Sequence, residues 1–177
     1  MDHTDHVNLL RPANLHAGGT WADFGAGSGA FTLALRELIG PEATIYAVDK
    51  DRGALNRLES AYRSRFHSTD HLTPLNQDFS HPLDLPALDG IVATNSLHYF
   101  RDTEKILRHV REFLKPNGAL LIVEYNVDSG KYLGAASLLI RNLSLPRRAG
   151  WVQRAAFTED NSIELFARVL FGIGIQK

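Results

Sequence analysis

The sequence of 177 residues contains no cysteine, which excludes disulfide bonds, zinc–thiolate sites, iron–sulfur clusters and cysteine nucleophiles. It has no apolar run near the ~20 residues that a membrane-spanning helix needs. Its first residues carry acids rather than the basic stretch of a secretory signal. An excess of positive charge is also missing, because the net charge is −1 and a nucleic-acid-binding surface is usually basic. We therefore expect a cytoplasmic protein with no membrane or nucleic-acid partner.

The composition is typical of a soluble globular domain. Hydrophobic residues make up 44% of the chain and charged residues 22%, and both values lie near the averages for such domains. At roughly 100–200 residues per domain, the length predicts a single domain over residues 1–177. One segment departs from the even mixture of charges, because residues 129–158 contain five basic side chains and no acidic one.

Apolar runs and amphipathic segments alternate over the first 125 residues. The apolar runs predict five strands, at Thr20–Phe24, Thr44–Val48, His71–Gln77, Gly90–Thr94 and Ala119–Tyr125. Helical spacing predicts helices at Ser28–Ile39, Arg52–Phe66 and Thr103–Leu114, and a short helix within residues 5–17. This alternation predicts an α/β fold with a doubly wound, mostly parallel sheet. Pro74 removes a ladder donor and so places the third strand at a sheet edge.

A glycine-rich loop follows the first strand and opens a helix. Asp23, Gly25, Gly27 and Gly29 all lie in the run DFGAGSGA. Glycines let the backbone turn tightly and let a ligand approach without meeting a Cβ, and doubly wound sheets bind ligands at the carboxyl ends of their strands. The loop by itself also fits the dinucleotide fingerprint. An NAD-type oxidoreductase therefore stays open as an alternative function.

A second candidate binding residue ends the second strand. Asp49 follows Gly29 by 20 residues, and a carboxylate at that place accepts hydrogen bonds from the hydroxyls of a ribose. The competing structural role is capping of the helix that starts near Asp51. Asp23, just before the glycine loop, suits a cationic ligand, whereas a pyrophosphate favours a helix N-terminus and basic groups.

Five motifs in order resemble those of the class I S-adenosylmethionine-dependent methyltransferases. They are the glycine loop, Ala47–Asp49, Asn76–Phe79, Leu88–Tyr99 and Leu114–Glu124, all within residues 18–125. The last two resemble in particular the ubiquinone/menaquinone-type subgroup, which acts on small molecules. The resemblance implies a Rossmann-like methyltransferase fold, S-adenosyl-L-methionine as the cofactor, and methyl transfer to a small-molecule acceptor.

The resemblance also implies a set of residues that contact the cofactor. These are Asp23, Gly25, Gly27, Gly29, Asp49, Lys50, Asp78, Phe79 and Asn95. Asp23 would lie near the amino group of the methionine part, directly or through water, and Asn95 would face the same end. Asp49 would hold the ribose hydroxyls. Asp78 would accept a hydrogen bond from the adenine amino group, with Phe79 beside the ring.

The candidates for a general base follow the fourth strand. His98 and Tyr99 come near the expected methyl donor, and such a base is needed when the acceptor must lose a proton. A packing histidine at a helix start explains His98 equally well. His67 and His71 are four residues apart, but two isolated histidines seldom form a metal site. We therefore expect no metal.

The C-terminal third departs from the resembled family, which usually ends in a β-hairpin. Asn161 and Glu164 form a capping-box pattern, and Ile163, Phe166 and Leu170 then recur at helical spacing. We therefore expect the hairpin to be missing or replaced by a helix. The fifth strand would then be an exposed edge, which the apolar residues 132–140 and 157–175 could cover within the chain or across a homodimer.

The basic segment 129–158 lies where this family places acceptor-side structure. One hypothesis is that Arg141, Arg147 or Arg148 binds an anionic acceptor, because guanidinium pairs bidentately with carboxylate or phosphate. The other interpretation is a solvated basic surface. The irregular C-terminal third also leaves a second alternative function open, namely a catalytically inert module that binds a cofactor or a partner.

Overall fold

A computed structural model describes residues 1–125, 135–141 and 154–156 of the chain. Its helices and strands in chain order are α1 (His3–Leu10), β1 (Thr20–Phe24), α2 (Ala30–Ile39), β2 (Thr44–Asp49), α3 (Arg52–Phe66), β3 (Leu72–Asn76), β4 (Leu88–Thr94), α4 (Thr103–Glu112), β5 (Leu114–Tyr125), β6 (Ala135–Arg141) and β7 (Arg154–Ala156). Single-turn 3₁₀ helices follow α1 and β4, at Arg11–Ala13 and Leu97–Tyr99. No helix in these ranges has the length and apolar character to cross a membrane.

The strands form one sheet in the order β3-β2-β1-β4-β5-β6-β7. The first five strands in chain order pair in parallel, while β6 and β7 pair antiparallel to their neighbours. The predicted doubly wound, mostly parallel α/β sheet is therefore confirmed, and β3 with Pro74 lies at the predicted edge. The strand order reverses between β1 and β4, which is where such sheets bind ligands.

Each face of the sheet has its own apolar core. Helices α1, α2 and α3 cover one face, where Trp21 of β1 packs in a cluster with Leu35 and Leu58. Helix α4 and the segment after β3 cover the other face, where Phe24 clusters with Val110. Because side chains alternate along a strand, Asp23 lies on the same face as Trp21. The carboxylate of Asp23 therefore lies in the apolar core beside α2.

The junction between α4 and β5 differs from the prediction. The helix ends at Glu112 and the strand begins at Leu114, whereas the predicted helix ran to Leu114 and the predicted strand began at Ala119. The register with β4 jumps from Leu88↔Leu114 to Gly90↔Ala119, and Asn117 has a φ of 66°. Residues 115–118 therefore form a bulge-like irregularity inside the strand, opposite the single residue Asp89, and the predicted bounds were wrong at this junction.

The partner of β5 comes from within the chain. Strand β6 pairs with it from Ala119↔Arg141 to Tyr125↔Ala135, so the described residues do not leave the fifth strand as an exposed edge. The apolar segment 132–140, offered by the sequence as a cover, contains most of this strand. The helix expected in place of the C-terminal hairpin falls in residues 157–177 and lies outside the described residues.

Candidate functional site

The glycine loop turns from β1 into α2 across the carboxyl end of β2. The amides of Gly25 and Ala26 both donate hydrogen bonds to the carbonyl of Val48, at 2.9 and 3.1 Å. Gly25, Gly27 and Gly29 have φ values of 80°, 53° and 93°, a region in which glycine avoids the strain of a side chain. The loop is therefore fixed on β2 by backbone contacts.

The three glycines leave room for different neighbours. A Cβ on Gly25 would lie 2.7 Å from the Cβ of Ser96, so Gly25 lets the loops after β1 and β4 approach each other. A Cβ on Gly29 would lie 2.6 Å from the Cγ of Leu58, so Gly29 lets α2 pack against α3. A Cβ on Gly27 would have its nearest non-neighbouring atom 4.0 Å away. The loop is thus open to a ligand at Gly27.

Asp49 ends β2 and binds two backbone amides with its carboxylate. Its Oδ2 accepts a hydrogen bond from the amide of Gly27 at 2.8 Å, and its Oδ1 accepts from the amide of Asp51 at 2.8 Å. Each carboxylate oxygen has two lone pairs, so acceptor positions remain for ligand hydroxyls. The cap of α3 is Asp51, which accepts from the amide of Ala54 at 3.0 Å. The capping role weighed for Asp49 therefore belongs to its neighbour.

Asp23 is the buried acid of the site. Asp23 is 0% exposed, and the hydroxyl of Thr32 donates to its Oδ2 at 2.6 Å. Among the residues that the structure describes, its Oδ1 has no hydrogen-bond partner. Burial raises the pKa of this carboxyl to about 7, with a smaller opposing effect of the Thr32 hydrogen bond and a further increase from the charge of Asp49. An unpartnered buried carboxylate oxygen of this kind favours a cationic partner.

Asp78 follows β3 and remains a strong anionic acceptor. Its Oδ1 accepts from the amide of Ser80 at 2.9 Å. Burial raises the pKa of Asp78, but the hydrogen bonds with Ser80 and the charges of His81 and Lys50 outweigh burial and lower the pKa below its usual value. Lys50 follows β2 and is exposed. Its backbone carbonyl accepts a hydrogen bond from the side-chain Nδ2 of Asn76 at 2.9 Å. The ends of β2 and β3 are thus tied together.

Phe79 lies mostly in the core rather than on the surface. Its ring stacks on Phe24 with the centroids 5.1 Å apart, and Phe100 contacts it edge-on at 5.4 Å. The residue is 7% exposed. A Cβ on Gly25 would lie 3.9 Å from its Cε1. Any contact of Phe79 with a ligand therefore comes from the part of its ring near the glycine loop.

Asn95 and the two candidate bases follow β4. Asn95 has a φ of 47°, and its amide donates to the carbonyl of Val123 at 2.8 Å. This turns the chain at the same edge of the sheet as the glycine loop. Tyr99, in the following 3₁₀ helix, is 77% exposed, while the side chain of His98 lies outside the described residues. Base catalysis by His98 or Tyr99 stays a prediction.

Thr32 is a site residue that the sequence did not reveal. It lies in the first turn of α2 and is fully buried. Thr32 and Arg36 are the two polar residues among the buried residues of α2, spaced one helical turn apart. This pattern could have identified Thr32 in the sequence, because a buried polar side chain needs a hydrogen-bond partner.

Three carboxylates thus lie at or just after the carboxyl ends of three neighbouring parallel strands, with Asp23 near the end of β1, Asp49 at the end of β2 and Asp78 two residues after β3. Together with the open glycine loop they form an edge rich in hydrogen-bond acceptors and negative charge. Such an edge suits cations, hydroxyls and amino groups, and opposes a pyrophosphate. Within residues 1–125, 135–141 and 154–156, no group of three or more histidine, aspartate or glutamate side chains is placed to hold a metal ion.

Residues 22–120, more than half of the chain, match the family model of a methyltransferase domain. The chain is 38% identical over 110 residues to a tenellin synthetase of Beauveria bassiana (strain ARSEF 2860). That alignment covers 58% of this chain and 2% of the synthetase. The chain therefore spans only a small part of the length of this relative.

Solved structures share the fold at low sequence identity. An S-adenosylmethionine-dependent methyltransferase from Aquifex aeolicus superposes with a TM-score of 0.60 at 22% identity, over 72% of this chain and 69% of that one. Coclaurine N-methyltransferase, solved with N-methylheliamine and S-adenosylhomocysteine, gives a TM-score of 0.61 at 19% identity, over 69% and 36%. At these identities, both likenesses concern the fold.

Proposed function

The chain belongs to the methyltransferase-domain family, with S-adenosyl-L-methionine as its cofactor, and from this premise we propose that it methylates a small-molecule acceptor. The observation that carries the proposal is the row of carboxylates beside an open glycine loop. S-adenosylmethionine presents an ammonium, a sulfonium, two ribose hydroxyls and an adenine amino group. Each of these groups is attracted to, or donates to, a carboxylate, so the residues present fit the cofactor.

We assign one group of the cofactor to each acid. Asp23 receives the ammonium, because its Oδ1 is buried without a partner. Asp49 receives the ribose hydroxyls while it holds the Gly27 amide. Asp78 receives the adenine amino group, with Phe79 at the ring and Lys50 at the rim. Gly25 and Gly29 shape the loop, and Asn95 faces the methionine end.

The bound cofactor supplies the methyl group and the reactive sulfonium. The contribution of the chain is to hold the acceptor in line with the methyl carbon and the sulfur, and such alignment accounts for much of the barrier reduction in reactions of this type. His98 is the base that we assign to acceptors that must lose a proton, with Tyr99 as the second candidate.

The acceptor that we propose is an acyl chain of the polyketide type. The support is similarity to proteins named as hybrid PKS-NRPS synthetases and as a reducing polyketide synthase. The activities of those whole proteins are not assigned to this chain, because it spans between 2% and 4% of their length. The ubiquinone/menaquinone-type subgroup and the role of Arg141, Arg147 or Arg148 toward an anionic acceptor stay predictions.

Methyl transfer is tested with methyl-labelled S-adenosylmethionine and a panel of acyl thioesters, phenols and amines, with labelled product and released S-adenosylhomocysteine as readouts. We expect label on the acyl thioesters. Label on phenols or amines alone would contradict the proposed acceptor. Tight binding of S-adenosylhomocysteine without transfer to any acceptor would favour the inert binding module.

Alanine substitutions at Gly27 and Gly29 separate ligand binding from packing. Gly27→Ala should fold with a loss of about 1–2 kcal/mol, the usual cost of a left-handed conformation for a residue with a Cβ, but should bind S-adenosylhomocysteine at least about tenfold more weakly because the new methyl group enters the ligand space. Gly29→Ala should lose more stability, because its Cβ meets Leu58. Gly40→Ala is the control, since Gly40 has a φ of 82° and no atom within 4 Å of its Cβ position. Urea unfolding and calorimetry measure both effects, and equal binding by Gly27→Ala and Gly40→Ala would contradict the assignment.

The single domain over residues 1–177 and the homodimer also stay proposals. The edge of β5 that motivated the dimer is covered by β6 of the same chain. Light scattering at micromolar concentration measures the oligomeric state directly.

A further inference from the structure

The hydroxyl of Thr32 makes an unusually short contact with a buried acid. It donates to the Oδ2 of Asp23 at 2.6 Å, within the range of hydroxyl bonds to a charged carboxylate. Both residues are 0% exposed. Thr32 occupies one carboxylate oxygen, and the other has no partner in the described part of the chain, so the hydrogen bond also decides which oxygen is left for a ligand.

The surroundings of Asp23 give its charge little other support. Its cross-strand neighbours are Ala47 on β2 and Val92 on β4, and Trp21 shares its face of β1. From α2 the polar contact is Thr32, and from β2 the charged group that acts on Asp23 is Asp49, which has the same sign. Burial makes the ionised carboxylate costly, because a single hydrogen bond does not replace its lost hydration. Burial therefore raises the pKa of Asp23 to about 7. The Asp23 carboxyl therefore gains and loses its proton near neutral pH.

We propose that Thr32 is a positioning residue of this site, which orients the Asp23 carboxylate and favours its ionised form for the ammonium group of the cofactor. This inference rests on the proposed function, because that function supplies the ammonium. When the cation binds, the O–H bond of a protonated Asp23 breaks, the proton leaves to solvent, and the ammonium N–H donates to the resulting carboxylate. Binding and proton release are then coupled.

The coupling predicts a specific dependence of affinity on pH. Below the pKa of Asp23, a ligand with an ammonium must displace a proton, so its affinity rises with pH by up to about tenfold per unit. A ligand without the ammonium displaces none. Loss of the Thr32 hydroxyl removes a hydrogen bond from the charged form, which raises the pKa of Asp23 and moves the rise in affinity to higher pH.

The test compares S-adenosylhomocysteine with methylthioadenosine, a nucleoside that lacks the amino-acid part, by calorimetry between about pH 5.5 and about pH 8.5, a range that brackets the pKa of Asp23 and its expected shift. Thr32→Val keeps the shape but not the hydroxyl, and Thr32→Ser keeps the hydroxyl. For S-adenosylhomocysteine we expect Thr32→Val to shift the rise in affinity upward by about one pH unit or more, and Thr32→Ser to restore it. Methylthioadenosine should bind all three proteins with the same pH profile.

Two outcomes would overturn the inference: an unshifted profile in Thr32→Val, or an equal shift for methylthioadenosine, which indicates general damage to the loop. If Thr32→Val does not fold, proton release by the parent protein tests the coupling on which the role of Thr32 rests. Calorimetry at pH 6.5 in two buffers of different ionisation enthalpy should then show proton release with S-adenosylhomocysteine and none with methylthioadenosine, and its absence overturns the coupling. Failure of the parent to bind either nucleoside would instead contradict the proposed function itself.

Discussion

Asp49→Ala should reduce the affinity for S-adenosylhomocysteine by roughly 100-fold or more. The substitution removes the proposed acceptor of the ribose hydroxyls, and hydrogen bonds to charged groups contribute about 1.5–3 kcal/mol each. It also removes the acceptor of the Gly27 amide, so the glycine loop loses its side-chain attachment to β2. Calorimetry with the parent and the variant at one pH measures this loss.

Asp51→Ala is the matched control for Asp49→Ala. Asp49 ends β2 and Asp51 lies two residues later, but Asp51 accepts from the amide of Ala54 and caps α3. Its loss should cost about 1 kcal/mol of stability and leave nucleoside affinity unchanged. Asp49→Asn keeps an uncharged acceptor and should fall between the parent and Asp49→Ala. If Asp49→Ala binds the nucleoside as tightly as Asp51→Ala does, the ribose assignment is wrong.

Asp23→Asn should make the protein more stable at pH 8 by about 2 kcal/mol, while it weakens binding of the cofactor. The pKa of Asp23 is about 7 in the folded protein against an ordinary value of 3.8. The folded state therefore binds the proton more tightly. The protonated carboxyl therefore contributes to the free energy of unfolding in full below about pH 4, and this contribution is lost as the pH rises through about 7. Asparagine cannot ionise, so the variant avoids that loss.

Urea unfolding at pH 4, 6 and 8 measures the effect of Asp23→Asn. Its stability relative to the parent should rise between pH 4 and pH 8. Asp78→Asn is the control of opposite sign, because the pKa of Asp78 is lowered in the folded protein. Its ionised form favours folding above the ordinary pKa, a contribution lost as the pH falls through the lowered value, so this variant should gain nothing at pH 8. An Asp23→Asn protein that is less stable than the parent at pH 8 would contradict the buried, costly charge.

Much of the fold could be predicted because the central strands β1 and β4 are buried on both faces. The bounds predicted from apolar runs and helical spacing match the structure for β1 (Thr20–Phe24) and α3 (Arg52–Phe66). The junction after α4 could not be predicted in the same way. Residues 115–118 have the chemistry of a turn, and a bulge uses the same chemistry. Only the pairing of β5 with β4 on both sides of it distinguishes the two.

The candidate site was predictable at the level of residue types but not of contacts. The acids at or just after the ends of strands stand out in the sequence because polar residues there interrupt or end apolar runs, and they are Asp23, Asp49 and Asp78. The bond from Gly27 to Asp49 and the bond from Thr32 to Asp23 depend on how β1, β2 and α2 meet. The burial that raises the pKa of Asp23 likewise comes from packing on both sides of β1, which no local pattern contains.

The central claim is that the glycine loop and the acids beside it bind S-adenosylmethionine rather than a dinucleotide. Calorimetric titration of the parent protein with S-adenosylhomocysteine and, in parallel, with NAD tests it most directly. We predict saturable binding of S-adenosylhomocysteine at one site per chain and no heat of binding with NAD. Binding of NAD without binding of S-adenosylhomocysteine would contradict the account.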